Sequence, residues 1–399
     1  MIRLQKHKNA CRAGLFAVIS LIIYGCLNFV FQPVWLEWNN YDTIQGFYEQ
    51  PENTIETVFL GASIVVNGVT PMELYEDYGI CAWNLATEQQ PMLASYYWLA
   101  EAYRYHPESL KTAVLDMSML RNVPDEAFYQ KALSSMKFSE NKCQAIKDCV
   151  DTFDDFIAYL IPTFSYHTRW KELDITDFES FGYDINSSVR GYHFVTESVI
   201  DSYSYDEIGI PSYISDENEG KLEFKNEPLL YLKQIIDFCE EHNIELILMK
   251  TPGSSNWSDA AHNAVQEMAE DYDLTFIDFN YSPYLEEVQY TEATDSVDMG
   301  HMNYYGATKL TDWFGNYLTE FCGATDVRQT EKYAFMDEEL EEYHREILSI
   351  ELNDIKDPCE YIETVNRYGN YTILISVKDE GAGALTDTQR ETFKLLGLP

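Results

Sequence analysis

Ser63, Asp298 and His301 are the residues whose types and spacing best fit covalent chemistry. Ser63 lies in Leu60-Gly-Ala-Ser63, directly after the apolar run Thr57-Val-Phe-Leu60. A serine hydroxyl is a poor nucleophile until a base takes its proton. Asp298-Met-Gly-His301 offers one. An acid three residues before a histidine lets the carboxylate reach the imidazole within one turn. It can then fix the tautomer and leave the other ring nitrogen free for a serine. Taken alone, Ser63 reads more readily as a turn or capping serine, because serine after a glycine turn is common. The Asp298/His301 pair shifts that balance. No second histidine or acid cluster stands at ligand spacing beside it, and the eight cysteines include no CxxC pair. Neither a metal nor a cofactor is therefore expected.

For these residues to meet, the chain must carry them to one edge of a sheet. Thr57–Leu60, Ile80–Leu85, Thr112–Asp116, Ile244–Met249 and Leu274–Asp278 read as five buried strands. Amphipathic helices alternate with them: one opens at Pro91, one at Asn226 as a cap, and one runs from Trp257 through Met268. Strands separated by helices imply an α/β fold, a three-layer parallel sheet of flavodoxin-like type, with Ser63 at a strand's C-terminal end. His301 should enter a final helix near Ala307. Residues 120–225 interrupt the alternation and are expected to form a helical insertion. Its cluster Tyr166-His-Thr-Arg-Trp170 makes His167 and Arg169 candidates for substrate contact, with packing the competing role.

Residues 13–36 carry no charged side chain and suffice to cross a bilayer. Four of the 27 basic residues precede this segment, leaving 23 against all 67 acids after it. That asymmetry predicts a cytoplasmic tail over 1–12, an uncleaved single-pass anchor over 13–36 and an exported remainder, with a cleaved signal sequence as the competing reading. So acidic a surface argues against nucleic acid as a partner. A linker is expected over 37–54, the main domain over 55–322 and a small C-terminal α/β module over 323–399, with a strand at 370–377.

The block Gly61-Ala-Ser63 after the first strand, together with Asp298 and His301 before the last helix, resembles the SGNH/GDSL hydrolase superfamily. More narrowly, Asn84-Leu-Ala-Thr-Glu-Gln-Gln90-Pro, Lys250-Thr-Pro252 and His301-Met-Asn303-Tyr-Tyr-Gly306 are similar to a bacterial membrane-anchored branch. That branch is related to the D-alanine transfer protein of teichoic acid modification and to surface-polysaccharide O-acetylation proteins. The resemblance implies acyl-ester chemistry on a cell-surface glycan or polymer, beside a multi-pass membrane O-acyltransferase that supplies acyl groups. It also implies an oxyanion hole. The family's second-block glycine is Ala86 here, which retains a backbone donor. The usual G-x-N-D block is absent after the third strand, so Gln90 or Asn84 would supply the side-chain donor. Lys250 would offer charge to an anionic acyl donor, or else snorkel from a strand end. Asn303 is expected to hold the loop carrying His301. These departures leave a rival reading, a catalytically inactive module of the same fold that binds glycan or scaffolds an export complex.

Overall fold

The computed structural model describes residues 2–31, 41–173, 175–179, 187–198, 222–253, 257–298, 300–368 and 386–394. The chain divides into two units, Met1–Val327 and Arg328–Pro399.

The first unit is built on five parallel strands: β1 (Thr57–Gly61), β2 (Ala82–Ala86), β3 (Thr112–Asp116), β4 (Glu245–Lys250) and β5 (Thr275–Asp278). They lie in the order β2-β1-β3-β4-β5, that of flavodoxin-like doubly wound sheets. Each is an almost continuous apolar run, because helices cover both faces and leave no face for water. Helix α1 (Ile2–Phe31) precedes the sheet, followed by α2 (Tyr41–Phe47), α3 (Ser63–Val66), α4 (Pro71–Tyr78) and α5 (Met92–Tyr105). The insertion contains α6 (Glu126–Ser134), α7 (Glu140–Cys149), α8 (Phe153–Leu160), α9 (Pro162–Tyr166), a 3-10 turn at His167–Lys171 and α10 (Thr176–Glu179). The sheet domain resumes with α11 (Asn226–His242), α12 (Asp259–Tyr272), α13 (Tyr284–Val288), α14 (Glu292–Asp295) and α15 (Tyr304–Phe321).

Helices α4 and α15 pack together on one face, and α5 packs on α11 on the other. On the α15 side the core joins Phe59, Val114, Ile247 and Ile277 of the strands to Leu310, Phe314 and Leu318. Phe59 and Phe314 meet edge to face with centroids 5.4 Å apart. That is the favoured geometry for two ring quadrupoles.

Three expectations are adjusted. Part of the supposed linker is core, because α2 buries Ile44 and Phe47 completely, with Phe47 packed on the rings of Trp83, Tyr105 and His106. Asn226 begins α11 as its first helical residue and not as its cap, which is Lys225. The final helix starts at Tyr304, three residues before Ala307, because the Asn303 side chain caps it by accepting from the Gly306 N–H at 3.1 Å.

Helix α1 is 30 residues long, and its window Cys11–Asn28 is apolar enough to cross a membrane. A signal sequence meets the same measure. Residues 32–36 of the expected anchor lie outside the described residues. In the second unit, the described elements are a 3-10 turn (Glu331–Tyr333) and helices α16 (Phe335–Asp354), α17 (Pro358–Tyr368) and α18 (Asp387–Lys394). The strand expected at 370–377 lies outside the described residues.

Candidate active site

Strand β1 delivers Ser63 through a backbone that only glycine accommodates easily. Gly61 has φ 153°, and a Cβ there would stand 2.6 Å from Asp116 Cβ and 2.7 Å from Val65 Cγ2. Gly61→Ala should therefore lower stability by about 2–3 kcal/mol, read as a lower urea midpoint. Ser63 then opens α3, whose cap residue Ala62 has extended backbone angles. Ser63 is partly exposed.

Asp298 and His301 sit on a tight loop rather than in a helix. Ser296 and Met302 form an antiparallel bridge at its base, and the Val297 N–H donates to the His301 carbonyl at 3.0 Å. Asp295 braces the same loop: its carbonyl accepts from the Asn303 N–H at 3.0 Å, while its carboxylate accepts from the Thr291 N–H and from Lys309. As expected, Asn303 holds this loop, since its Nδ2 donates to the carbonyl of Thr294 at 2.8 Å.

The two segments meet at hydrogen-bond distance. Ser63 Oγ lies 2.8 Å from His301 Nε2. His301 Nδ1 lies 2.9 Å and 3.1 Å from the two oxygens of Asp298. A neutral imidazole protonated at Nδ1 donates to the carboxylate and presents its Nε2 lone pair to the serine hydroxyl. Asp298 Oδ1 also accepts from the N–H groups of Gly300 and His301, at 2.7 Å and 2.8 Å. Partial burial pushes the Asp298 carboxyl up. The His301 ring and these two N–H groups outweigh it and hold the group below the ordinary carboxylate range. The arrangement can therefore move a proton from Ser63 to His301 and hold the resulting imidazolium against a carboxylate.

No family model matches the chain, and no curated protein does. Among solved structures, it is similar to a crystal structure described as a "putative acylhydrolase" from Bacteroides fragilis, at 12% identity and a TM-score of 0.32. The likeness covers 71% of this chain and 98% of the other. At that level, the chemistry assigned to this chain rests on its own residues.

The other expected site residues are placed unevenly. Ala86 is the register partner of Gly61, so its backbone ends β2 beside the strand end that leads to Ser63. Asn84 and Gln90 correct the sequence reading, because their amide N–H groups are already committed. Asn84 Nδ2 donates to the carbonyls of Val69 and Val65, at 2.8 Å and 3.4 Å, and so secures the turn after Ser63. Gln90 Nε2 donates to the Leu85 carbonyl and to Ser95 Oγ, at 3.0 Å and 3.1 Å. Both residues are buried and position the backbone.

Lys250 neither snorkels nor reaches outward. It is 1% exposed, and its ammonium donates to the Thr251 and Gly253 carbonyls. Burial lowers its pKa, while the carboxylates of Asp116 and Asp278, at the ends of the two flanking strands, act to raise it. Burial likewise pushes the Asp116 carboxyl up to about 6, with Lys250 and Ser118 pulling it back. Lys250→Met would leave the buried Thr251 and Gly253 carbonyls without the ammonium they accept from and is expected to cost about 1–3 kcal/mol, measured by equilibrium urea unfolding. His167 and Arg169 stand in the insertion. His167 Nδ1 bonds the Phe164 carbonyl at 2.9 Å, and Arg169 is held by Asp177 and by the end of α1.

One positioning element gave no signal in the sequence. Residues 187–198 run as a strap from the edge strand β2 to the His301 loop. The Asn84 N–H donates to the Arg190 carbonyl at 3.0 Å, and Gly191, at φ 84°, crosses so close that a Cβ would fall on the Asn84 carbonyl oxygen. Further along, the His193 N–H donates to Val66 O at 3.0 Å and the Asn67 side chain donates back to the His193 carbonyl, tying the strap to the end of α3. Val195 O then accepts from the Tyr304 N–H at 2.7 Å, and Glu197 O accepts from Asn303 Nδ2. The strap thus bonds both to the helix opened by Ser63 and to the residues that follow His301.

Proposed function

We propose that this chain is an exported, membrane-anchored serine esterase or O-acyltransferase of SGNH type, acting on acyl esters, chiefly O-acetyl, of cell-surface glycans or polymers. The observation that carries the reading is the continuous hydrogen-bonded series Ser63 Oγ, His301 Nε2, His301 Nδ1 and Asp298. In the mechanism, His301 takes the Ser63 proton as Oγ adds to the ester carbonyl, and the resulting imidazolium is held by Asp298. Collapse of the tetrahedral intermediate expels the alcohol, which receives the proton from His301, and leaves an acyl-Ser63. A second hydroxyl, from water in an esterase or from a sugar in a transferase, adds with His301 again as base and releases Ser63. The backbone N–H groups of Ser63 and Ala86 are the proposed oxyanion donors.

The N-terminal basic residues and the uncharged run after them support an anchor with its tail inside and the sheet domain outside. A multi-pass membrane acyltransferase as acyl supplier follows from the family resemblance. Deleting a neighbouring acyltransferase should then abolish surface acetylation by this protein. Incubation with an acetyl-ester donor followed by intact-mass measurement tests the chemistry: an acyl adduct on the wild type, absent from Ser63→Ala, is expected. The committed amides of Asn84 and Gln90 favour a second reading, a non-catalytic glycan-binding module. That reading requires no adduct and no ester turnover, with glycan binding retained.

A further inference from the structure

We propose that the insertion's α9, 3-10 turn and α10 form a foot that lies on the outer surface of the bilayer, with Phe164, Trp170, Ile175 and Phe178 seated among the lipid head groups and upper acyl chains. This rests on the reading of α1 as an anchor.

The argument begins at the end of α1. Counted from Ala13, where the uncharged run begins, Asn28 is the sixteenth residue, about 24 Å along the helix, so it stands toward the outer end of a span. That polar residue is also the first grip of the insertion: its Oδ1 accepts from the Thr163 N–H at 2.9 Å and from Thr163 Oγ1 at 2.7 Å. One turn on, Arg169 Nη1 donates to the Phe31 carbonyl at 2.9 Å, satisfying a helix-end acceptor that has no partner within the helix. Its Nη2 pairs with Asp177 Oδ1 at 2.7 Å, so neither charge is left bare. Val30 is buried beneath these contacts. Elements fastened in this way to the last turn of a spanning helix have no position available except the interface.

Their outer surface suits that position. Phe164, Trp170, Ile175 and Phe178 are 56%, 64%, 72% and 50% exposed, and the elements carrying Phe164, Trp170 and Phe178 all pack against α1. Large apolar side chains grouped at one exposed place mark an interaction surface, and tryptophan beside a cation is typical of a membrane boundary. Lys171 Nζ stands 5.7 Å from the Trp170 ring. Residues 161–178 hold two bases against three acids in a chain with 67 acids and 27 bases, so this is a place where the acidic surface gives way. The cluster that invites a substrate role in the sequence, Tyr166 to Trp170, thereby acquires a lipid partner.

The test uses the full chain in phosphatidylcholine vesicles, with and without bromine near the head-group end of the acyl chains. Flotation reports the anchor separately. Quenching is compared among wild type, Trp170→Phe and Trp313→Phe, so that each tryptophan is read by subtraction. The Trp170 signal should fall at least about twofold with brominated lipid, as expected for a side chain immersed at interfacial depth, while the Trp313 signal stays unchanged. Phe164→Trp in the Trp170→Phe background gives a second reporter, which should be quenched similarly. Chain that floats with neither position quenched would overturn the foot and leave the anchor standing. Chain that does not float would overturn both.

Discussion

Ser63→Ala is expected to lower kcat on a chromogenic acetyl ester by about 10⁴-fold or more, with the fold intact. The hydroxyl is the group placed 2.8 Å from His301 Nε2, and removing it leaves the base without a nucleophile to deprotonate. Stability should barely move, within about 0.5 kcal/mol, because Ser63 is partly exposed and its hydroxyl bonds the His301 ring. Far-ultraviolet circular dichroism and a urea midpoint matching the wild type would separate lost chemistry from lost structure. A variant that retained the wild-type rate would remove Ser63 from the mechanism and leave the non-catalytic module as the better reading.

The framework of this site was legible in the sequence because its signals are local. Thr57–Leu60 and Thr112–Asp116 are apolar runs too short for helices, and each is a strand of the parallel sheet. Asp298 and His301 lie three residues apart, so their meeting needed only one loop. Lys250 shows where local signals stop. A lysine at a strand end looks exposed, yet its ammonium turns inward onto the Thr251 and Gly253 carbonyls, with Asp116 and Asp278 adding negative charge from two other strands. The partners of Arg169 were hidden for a similar reason, since its carbonyl acceptor at Phe31 is 138 positions away. The strap was invisible on different grounds. Its bonds to Val66 and Tyr304 are made by main-chain groups, which every residue type carries and no side chain advertises.

His301→Ala and Asp298→Asn are expected to differ, and the difference tests the roles given to the two residues. His301→Ala removes the base itself and should cost about as much as Ser63→Ala, with the double variant scarcely worse, because the pair acts as one unit. Asp298→Asn should cost less, about 10²–10³-fold in kcat. An asparagine keeps an oxygen to accept from the backbone N–H groups of Gly300 and His301, so the loop is retained. What it loses is the charge that stabilises an imidazolium and the acceptor that fixes the Nδ1–H tautomer. The Asp298 side chain is 54% exposed, and at such a place solvent screens much of that charge. Because the Asp298 carboxyl is held below its ordinary range by the His301 ring, it stays ionised where imidazoles titrate. The charge facing the ring is therefore present throughout the neutral range. An Asp298→Asn variant that kept the wild-type kcat on the chromogenic acetyl ester would mean that Asp298 does not act through His301.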